Sequence, residues 1–257
     1  MIDNKNLNQS IIKAFTVLDA FTNDKKEWGV RELANKTGYN KSTTYRLLST
    51  LVSLNVIHQN ENEKYCLGSK LFELGNRVSL YQSLITVTNQ PIKNVALEIQ
   101  ETVLLGILKE ERVFYVNKAD SLQGLKISTS IGSYQPIHAT ASGKLLLAFS
   151  SIQKQETYFK NNPLTKYTQK TITKTSELKS KLKNIKKQGY SLDLEEFELG
   201  LICIAIPIFN KKGNAIACIS ASGPSSRFKL ENVQRYISIL KKGAVLIETS
   251  LQDSDSL

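Results

Sequence analysis

The densest group of side chains that could do chemistry is the run Asn40–Arg46, which reads NKSTTYR. It combines two cations, Lys41 and Arg46, with short hydroxyl and amide side chains. Such side chains at a helix start let the backbone approach phosphates, and arginine or lysine binds phosphate oxygens or guanine edges. The hydroxyl residues could instead merely cap the helix, with Tyr45 packed inside, but the whole cluster predicts DNA contact. The residues expected to make that contact are Arg31, Asn40, Lys41, Ser42, Thr43, Thr44, Tyr45 and Arg46.

Three helices and a hairpin are predicted around this run. Apolar residues with helical spacing occupy 8–21, and VRELANKT at 30–37 is a short helix that Gly38 ends. The helix over 41–54 follows, with Asn40 or Ser42 as its N-cap. Two short strands, VIHQ and KYCL, then flank the polar turn NENE. This order is typical of a winged helix-turn-helix, whose second motif helix enters the major groove of DNA.

The sequence lacks the motifs of the common enzyme classes. No two of its 13 glycines are two residues apart, so it has no G-x-G-x-x-G dinucleotide loop, and it has no G-x-S-x-G elbow. The pair Gly143-Lys144 lacks the first glycine and the Ser or Thr of a phosphate-binding loop. Only two histidines occur, His58 and His138, without metal-ligand partners at a recognisable spacing. We therefore expect no catalytic residue, no metal and no cofactor.

Composition places the chain among folded proteins of a reducing compartment. Hydrophobic residues make up 41% and charged residues 22% of its 257 residues, enough for one large domain or two ordinary ones. No run approaches the length of a membrane span, and the N-terminal segment is too polar for a secretory signal. The three cysteines are odd in number and widely spaced, which favours free thiols. We expect a cytoplasmic protein without membrane contact.

The net charge of +11 adds little to the DNA-binding prediction. Residues 1–75 carry eight Lys, two Arg and eight acidic residues, whereas 151–190 carry ten Lys and two acidic residues. Most of the excess therefore lies outside the helix-turn-helix. A lysine-rich stretch without arginine favours a solvated helix face with flanking loops, and a second nucleic-acid patch is the alternative.

The pattern changes after the wing. An amphipathic helix over 69–86, with Gly75 inside it, is interpreted as a connecting helix with a dimer contact, and a core helix is the alternative. Further on, helices are predicted at 91–101 (opened by Pro91), 139–149, 175–188 and 229–249, and strands at 102–110, 112–119, 125–131, 190–196, 201–209 and 215–223. Hairpin-linked strands flanked by helices predict an antiparallel sheet and an α+β fold. The expected domains are 1–68, the connecting helix 69–86, and 87–257.

Four segments together resemble the IclR family of bacterial transcription regulators. They are VRELANKTGYNKSTTYRLLSTL, the YCLG after the wing, PIHATASGKLLLA, and GYSLDLEEFELGLICIAIPIFNKKGNAIACISASGP. The likeness covers residues 8–249. It implies a GAF-like effector-binding domain after the winged helix-turn-helix. It also implies a homodimer or dimer of dimers on a palindromic double-stranded DNA operator, and a repressor of a catabolic operon that a small organic acid controls.

The resemblance also implies where that effector binds. The family pocket is lined by the start of the PIHATASGK helix, by the acidic turn and by the last two strands. Ser220 and Ser222 are two apart in a strand, so both face one side, which is the pocket or, as the alternative, solvent. N–H groups at the helix start suit a carboxylate, whereas an ionised Asp193 would repel it and suits a ligand hydroxyl. The implied residues are Ile127, Gln135, Ala141, Ser142, Asp193, Cys203, Ser220 and Ser222.

Two further positions, Gln135 and His138, lie close to this pocket in the sequence. Gln135 stands where family members often have an apolar residue, so this wall of the pocket is expected to be more polar or more open. His138 is expected to support the loop by hydrogen bonding, with direct ligand contact as the alternative. Two other functions also stay open: a ligand-independent DNA binder, and an enzyme with Cys203 or Ser220 as nucleophile. The lack of a histidine partner argues against the enzyme.

Overall fold

A computed structural model describes residues 7–22, 24–124 and 127–253. The chain forms two compact units that divide between Ser79 and Leu80. This division lies inside the predicted connecting helix over 69–86. The assignment of 69–86 to a separate connecting role stays a prediction. Among the described residues, no helix is both long enough and apolar enough to cross a membrane.

The first unit is a winged helix-turn-helix, as predicted. Asn8 caps its first helix by accepting hydrogen bonds from two backbone N–H groups, and Gly38, with φ +75°, ends the second. Val17, Leu33, Leu48 and Ile57 are fully buried between the helices and the wing. Its elements are α1 Gln9–Leu18, α2 Val30–Thr37, α3 Lys41–Ser53, β1 Ile57–Gln59, β2 Tyr65–Leu67 and α4 Ser69–Gly75, with β1 and β2 antiparallel.

Helix α1 is shorter than the predicted 8–21, and part of its apolar stripe faces solvent. It ends at Leu18, and Val17 is buried, but Ile11 and Phe15 are 57% and 61% exposed. The helical spacing of the apolar residues therefore identifies the helix. It does not tell which of these residues are buried within the first unit.

The bounds predicted for the helices over 69–86 and 91–101 are wrong, although most of both ranges is helical. Instead, α4 ends at Gly75, and after three residues α5 spans Ser79–Ile99 with Pro91 in its interior. Glycine has a low helix propensity, which fits the end of α4.

Tertiary packing explains why Pro91 does not open a helix. Residues Leu84, Ile92, Val95 and Ile99 are all buried and form one continuous stripe at helical spacing through the proline. A proline removes one intrahelical hydrogen bond and costs about 3 kcal/mol. The burial of several large side chains on both sides of it outweighs that cost.

The second unit contains a six-stranded antiparallel sheet in the order β5-β4-β3-β8-β7-β6. Its strands are β3 Thr102–Lys109, β4 Arg112–Ala119, β5 Tyr134–Gln135, β6 Ser191–Leu194, β7 Leu201–Phe209 and β8 Ala215–Pro224. The predicted strand at 125–131 is wrong for residues 127–131, which have no regular structure, and residues 125 and 126 lie outside the described part. The short β5 takes its place after a turn at Gly132, whose φ is +83°.

Helices cover both faces of the sheet. They are α5 and α9 Val233–Asp253 on one face, and α6 Ala141–Phe149 and α8 Thr175–Gln188 on the other, with α7 Ile152–Asn161 beside α6. Helix α7 was not predicted, and α9 starts after a 3₁₀ helix at Leu230–Asn232 rather than at residue 229. Helix α8 buries Leu178, Leu182 and Ile185, and its lysines are mostly solvent-exposed.

Helix α6 is buried along nearly its whole length, including Lys144. Thr140 caps it by accepting a hydrogen bond from the Gly143 N–H at 3.1 Å, and its hydroxyl donates to the Pro136 carbonyl at 2.7 Å. Gly143 lets the helix approach the preceding loop, since a Cβ there would lie 2.4 Å from the Ile137 Cα. The glycine therefore sets how close the start of α6 comes to the loop.

We predict that Gly143→Ala destabilises the second unit by about 2 kcal/mol, because the backbone of Ile137 must shift. Urea unfolding followed by far-ultraviolet circular dichroism measures the change. Gly75→Ala is the control, since a Cβ there meets nothing within 4 Å, and it should leave stability unchanged or raise it slightly. Equal unfolding curves for Gly143→Ala and the unsubstituted protein would contradict this account of α6.

Candidate functional site

The start of α3 presents an exposed cationic surface. Asn40 is the N-cap: its Oδ1 accepts hydrogen bonds from the Thr43 N–H at 2.8 Å and from the Ser42 hydroxyl at 2.9 Å. Lys41, Tyr45 and Arg46 are exposed, and Tyr45 is 56% exposed rather than packed inside. Charged side chains at a helix start, together with its N–H groups, favour phosphate.

The prediction that Thr44 contacts DNA is wrong. Thr44 is fully buried, and its hydroxyl donates to the Asn40 carbonyl at 3.1 Å, so it stabilises the first turn of α3 and does not face solvent. Arg31 on α2 is exposed. Arg46 also lines a groove of about 510 Å³ between α1 and α3, next to Lys13. The cations of this unit are thus available to an anionic partner.

The second unit brings four of the predicted effector residues together on the α6 face of the sheet. The strand register places Asp193 opposite Cys203 and Cys203 opposite Ser222. Ser220 belongs to the adjacent row, in which Ala205 separates it from Ser191. These polar residues are all buried, and alternate residues of the same strands face the opposite side.

The first turn of α6 contributes two further predicted residues. Ala141 and Ser142 are both buried, and their N–H groups have no acceptor within the helix. The Tyr115 hydroxyl donates to the Ser142 Oγ across 3.4 Å, which ties the turn to β4. Helix α6 packs against β6, β7 and β8, so its start and the polar rows belong to one buried region.

Asp193 is neutral over part of the physiological pH range. Burial raises its pKa to about 7, against the opposing effects of Lys144 and of a 2.7 Å hydrogen bond that its Oδ1 accepts from the Glu196 N–H. The fully buried Lys144 ammonium pairs with the Glu196 carboxylate, and burial lowers the pKa of Lys144. A protonated Asp193 leaves this cluster without net charge.

Gln135 lies elsewhere, and Ile127 lies outside the polar rows, against the core that contains Ala141 and Cys203. Gln135 is half-buried on β5 and pairs with Val113, and strands β4 and β3 separate it from β8. Ile127 is half-buried and packs at the margin of the α6-side core. The structure does not bring these two into the rows that contain Asp193 and Ser222. An aromatic cluster fixes β5: the Tyr134 ring lies 4.8 Å from that of Phe114.

His138 supports the loop before α6, as predicted. Its Nε2 donates to the Thr165 carbonyl at 2.8 Å, and its Nδ1 lies 3.2 Å from the Tyr158 hydroxyl. Burial lowers its pKa, so the neutral ring is favoured. Both ring nitrogens are therefore engaged in the structure.

The cysteines have the character of structural thiols. All three are free, and Cys203 and Cys218 are buried. Burial raises the pKa of Cys218 to about 12 and raises that of Cys203 further above its usual range. A thiol of this kind is a poor nucleophile near neutral pH. Among the described residues, no cluster of three or more His, Cys, Asp and Glu side chains could hold a metal ion.

Four residues of this region escaped the sequence reasoning: Ser191, Lys144, Glu196 and Tyr115. Ser191 is two residues before Asp193 in a strand, so period-two alternation could have found it. Lys144 interrupts an otherwise apolar helix, which is a signal of a buried charge with a partner. Glu196 and Tyr115 carry no such signal, because only the fold brings them beside α6.

Comparisons with known proteins agree with this architecture. The family model "IclR helix-turn-helix domain" matches residues 10–61, and "Bacterial transcriptional regulator IclR C-terminal" matches residues 73–249. The HTH-type transcriptional regulator KdgR of Escherichia coli K12 is 36% identical over 243 residues, covering 94% of this chain and 92% of KdgR. The transcriptional repressor IclR of the same organism is 29% identical over 239 residues, covering 92% and 87%.

Solved structures extend the likeness to the whole fold. An IclR homologue from Microbacterium hydrocarbonoxydans in complex with 4-hydroxybenzoate has a TM-score of 0.85 and 25% identity, covering 95% of this chain and 100% of the other. IclR of Thermotoga maritima has a TM-score of 0.79 and 29% identity, covering 95% and 98%. Fold and sequence agree over both units: this chain belongs to the IclR family of bacterial transcriptional regulators, and it is a DNA-binding protein.

Proposed function

We propose that this protein represses a catabolic operon and that a small organic acid bound in its second unit changes its affinity for the operator. The buried polar rows under the start of α6 carry this proposal, because a regulator without a ligand has no need of them. Two relatives support it: one is named a transcriptional repressor, and another was solved with 4-hydroxybenzoate. The protein acts in the cytoplasm, needs no cofactor and catalyses no reaction.

The first turn of α3 makes the contact with DNA. Lys41, Ser42 and Tyr45 are exposed there beside Arg46, and the N-cap Asn40 orients the turn. In a winged helix-turn-helix this turn enters the major groove, where an arginine binds guanine bidentately or a phosphate through its charge. Arg31 on α2 is the further contact to the DNA backbone.

Arg46→Ala should weaken binding to an operator selected from a random DNA pool by roughly 1–3 kcal/mol if it removes a base contact. Fluorescence anisotropy across a range of salt concentrations measures the affinity. Loss of a phosphate contact would instead weaken all sequences alike and reduce the salt slope by about one. Folding should be little affected, because the side chain is exposed.

Lys186→Ala is the matched control for this variant. Lys186 is an exposed cation on the lysine-rich helix α8, so its removal changes the net charge by the same amount. It should leave operator affinity unchanged. If Lys186→Ala weakened binding as much as Arg46→Ala, the lysine-rich stretch would be a second nucleic-acid patch and the assignment to α3 would be wrong.

The protein acts as a homodimer or a dimer of dimers on a palindromic operator. One winged helix presents a small DNA interface, and a second copy related by a two-fold axis raises affinity through effective concentration. The exposed apolar side chains of α4, with Phe72 at 76% and Leu74 at 45%, support a contact between copies through this helix.

Light scattering at micromolar concentration should therefore give at least twice the mass of one 28.8 kDa chain. Phe72→Glu places a charge on the proposed contact and should shift the population toward the monomer without unfolding the chain, because the side chain is exposed. A monomer in the unsubstituted protein would overturn this part of the proposal.

In this proposal the effector carboxylate binds the N–H groups of Ala141 and Ser142, with the hydroxyls of Ser220 and Ser222 beside it. Helix-start N–H groups and hydroxyls bind an anion without making the site catalytic. The ligand acts only if it binds two states of the protein unequally, and a coupling free energy of about 1–3 kcal/mol is typical.

Pyruvate, 4-hydroxybenzoate, D-gluconate and hexanoate are four acids with which to test this site. At least one should raise the melting temperature of the protein and change its operator affinity. The double variant Ser220→Ala, Ser222→Ala should lose this response and keep its DNA affinity in the absence of the acid. A normal response in the double variant would place the pocket elsewhere.

The affinity of the protein for the acid should depend on pH through Asp193. A bound anion is favoured when Asp193 is protonated, because the neutral acid does not repel it. Since the pKa of Asp193 is about 7, the affinity for the acid should fall as the pH rises from 6 to 8, and Asp193→Asn should flatten that dependence. An unchanged pH profile in Asp193→Asn would exclude Asp193 from the site.

A further inference from the structure

Two buried hydroxyl groups on the α6 face of the sheet lack the partners that buried hydroxyls normally have. Ser191 and Ser220 are 0% and 1% exposed, and the Oγ atom of each has no hydrogen-bond partner among the described residues. A buried hydroxyl without a partner costs free energy, so natural structures keep few of them. These two lie in the same register row, on either side of Ala205.

Other buried serines of this unit are bonded. The Ser121 hydroxyl is equally buried and donates to the Gln100 carbonyl at 2.8 Å, while accepting from the Gln123 N–H at 3.1 Å. Ser142 accepts a hydrogen bond from Tyr115. These buried serines are hydrogen-bonded within the fold, whereas Ser191 and Ser220 have no hydrogen-bond partner among the described residues.

The row geometry sets how far apart the backbones of the two serines are. Neighbouring strands are about 4.8 Å apart, so Ser191 and Ser220 are about 10 Å apart across Ala205. Only the methyl group of Ala205 rises between them. Two polar atoms of one molecule lying over that methyl, each about 2.8 Å from a hydroxyl, are then about 4 Å apart. That spacing corresponds to polar groups on an aliphatic chain of several carbons.

A third unpartnered atom indicates the character of these polar groups. Glu196 is buried, with Oε1 paired to Lys144, and its Oε2 has no hydrogen-bond partner among the described residues. Beside it, the Lys144 ammonium has more N–H donors than Glu196 can accept, and no acceptor for the others is present among the described residues. A hydroxyl group, which both donates and accepts, suits this ion pair as well as the two serines.

We propose that Ser191 is a specificity-determining residue of the effector site, where with Ser220 it binds the hydroxyl groups of a polyhydroxylated aliphatic acid. This inference rests on the proposed function, since it assumes that the second unit binds an acid. It extends the site to β6, beyond the residues implied by the family resemblance. The effector site then selects hydroxylated acids over apolar acids of equal length, because a site that hydrogen-bonds a hydroxyl group rejects the analogue that lacks it.

D-gluconate and hexanoate are a matched pair of probes, since both are six-carbon carboxylates and only one carries hydroxyl groups. Titration calorimetry on the full chain should give gluconate an affinity at least about tenfold above that of hexanoate. Ser191→Ala should weaken gluconate by about tenfold and leave hexanoate unchanged. It should also keep or raise the melting temperature without ligand, because it removes an unsatisfied hydroxyl.

Two variants keep the outcome interpretable. Ser121→Ala removes a bonded serine away from the site, so it should lower the melting temperature and leave the ratio of the two affinities unchanged. Ser191→Cys keeps a small side chain of similar shape with a weaker donor, and it should give an intermediate ratio if Ser191→Ala folds poorly. An affinity ratio that is unchanged in both Ser191 variants would overturn the proposal.

The wild-type result separates this inference from the proposed function. If hexanoate or 4-hydroxybenzoate binds and gluconate does not, the effector site stands and the role of Ser191 is overturned. If neither probe, nor pyruvate, nor 4-hydroxybenzoate binds, the acid-effector function itself is overturned, and this inference with it.

Discussion

The buried ion pair between Lys144 and Glu196 is the interaction on which the second unit's site depends. Helix α6 is buried on the sheet, and Lys144 is fully buried within it. An isolated ammonium in such a place costs several kcal/mol, so the helix can lie there only with an opposing carboxylate. Glu196 supplies it from the turn after β6. The pair thus joins the helix that offers its N–H groups to the strand that carries Ser191 and Asp193.

A buried ion pair of this kind fixes the positions of its two side chains more than it adds to the free energy of unfolding. Well-packed apolar side chains of similar volume often stabilise a core as much as a buried ion pair or more, while removal of one partner costs about 3–5 kcal/mol. Burial raises the pKa of Asp193 to about 7; the charge of Glu196 adds to that rise, and the charge of Lys144 opposes it. The ion pair therefore sets where α6 lies, and the burial around it sets the charge state in which the site receives an anion.

Local sequence signals predicted most of the fold because local physics decides those features. Asn40 caps α3, and Gly38 and Gly189 end α2 and α8 with positive φ, as turn chemistry requires. The errors arise where distant packing overrides local preference. Pro91 lies inside α5 because its apolar stripe is buried on both sides, and the serine- and threonine-rich segment 127–131 forms no strand.

The site was predictable only in part, since it is defined by register. Alternation along β8 indicates that Ser220 and Ser222 share a face, but no local signal states that Cys203 lies opposite Asp193, or that Ala205 separates Ser191 from Ser220. Gln135 comes shortly before α6 in the sequence, yet the strand order separates it from these rows. Thr44 belongs to an exposed run and is nevertheless the residue that turns inward.

The two faces of the same strands have different roles: one packs into the apolar core, and the other carries the polar residues of the site. On β7, Ile202, Ile204 and Ile206 point to the α5 and α9 side, where the core is mostly apolar. The intervening Cys203 and Ala205 point to the α6 side, among serines, an aspartic acid and an ion pair. Apolar burial on one face offsets the cost of imperfectly bonded polar groups on the other. The polar face can therefore keep groups that only a ligand satisfies, and binding that ligand changes the free energy of the folded state directly.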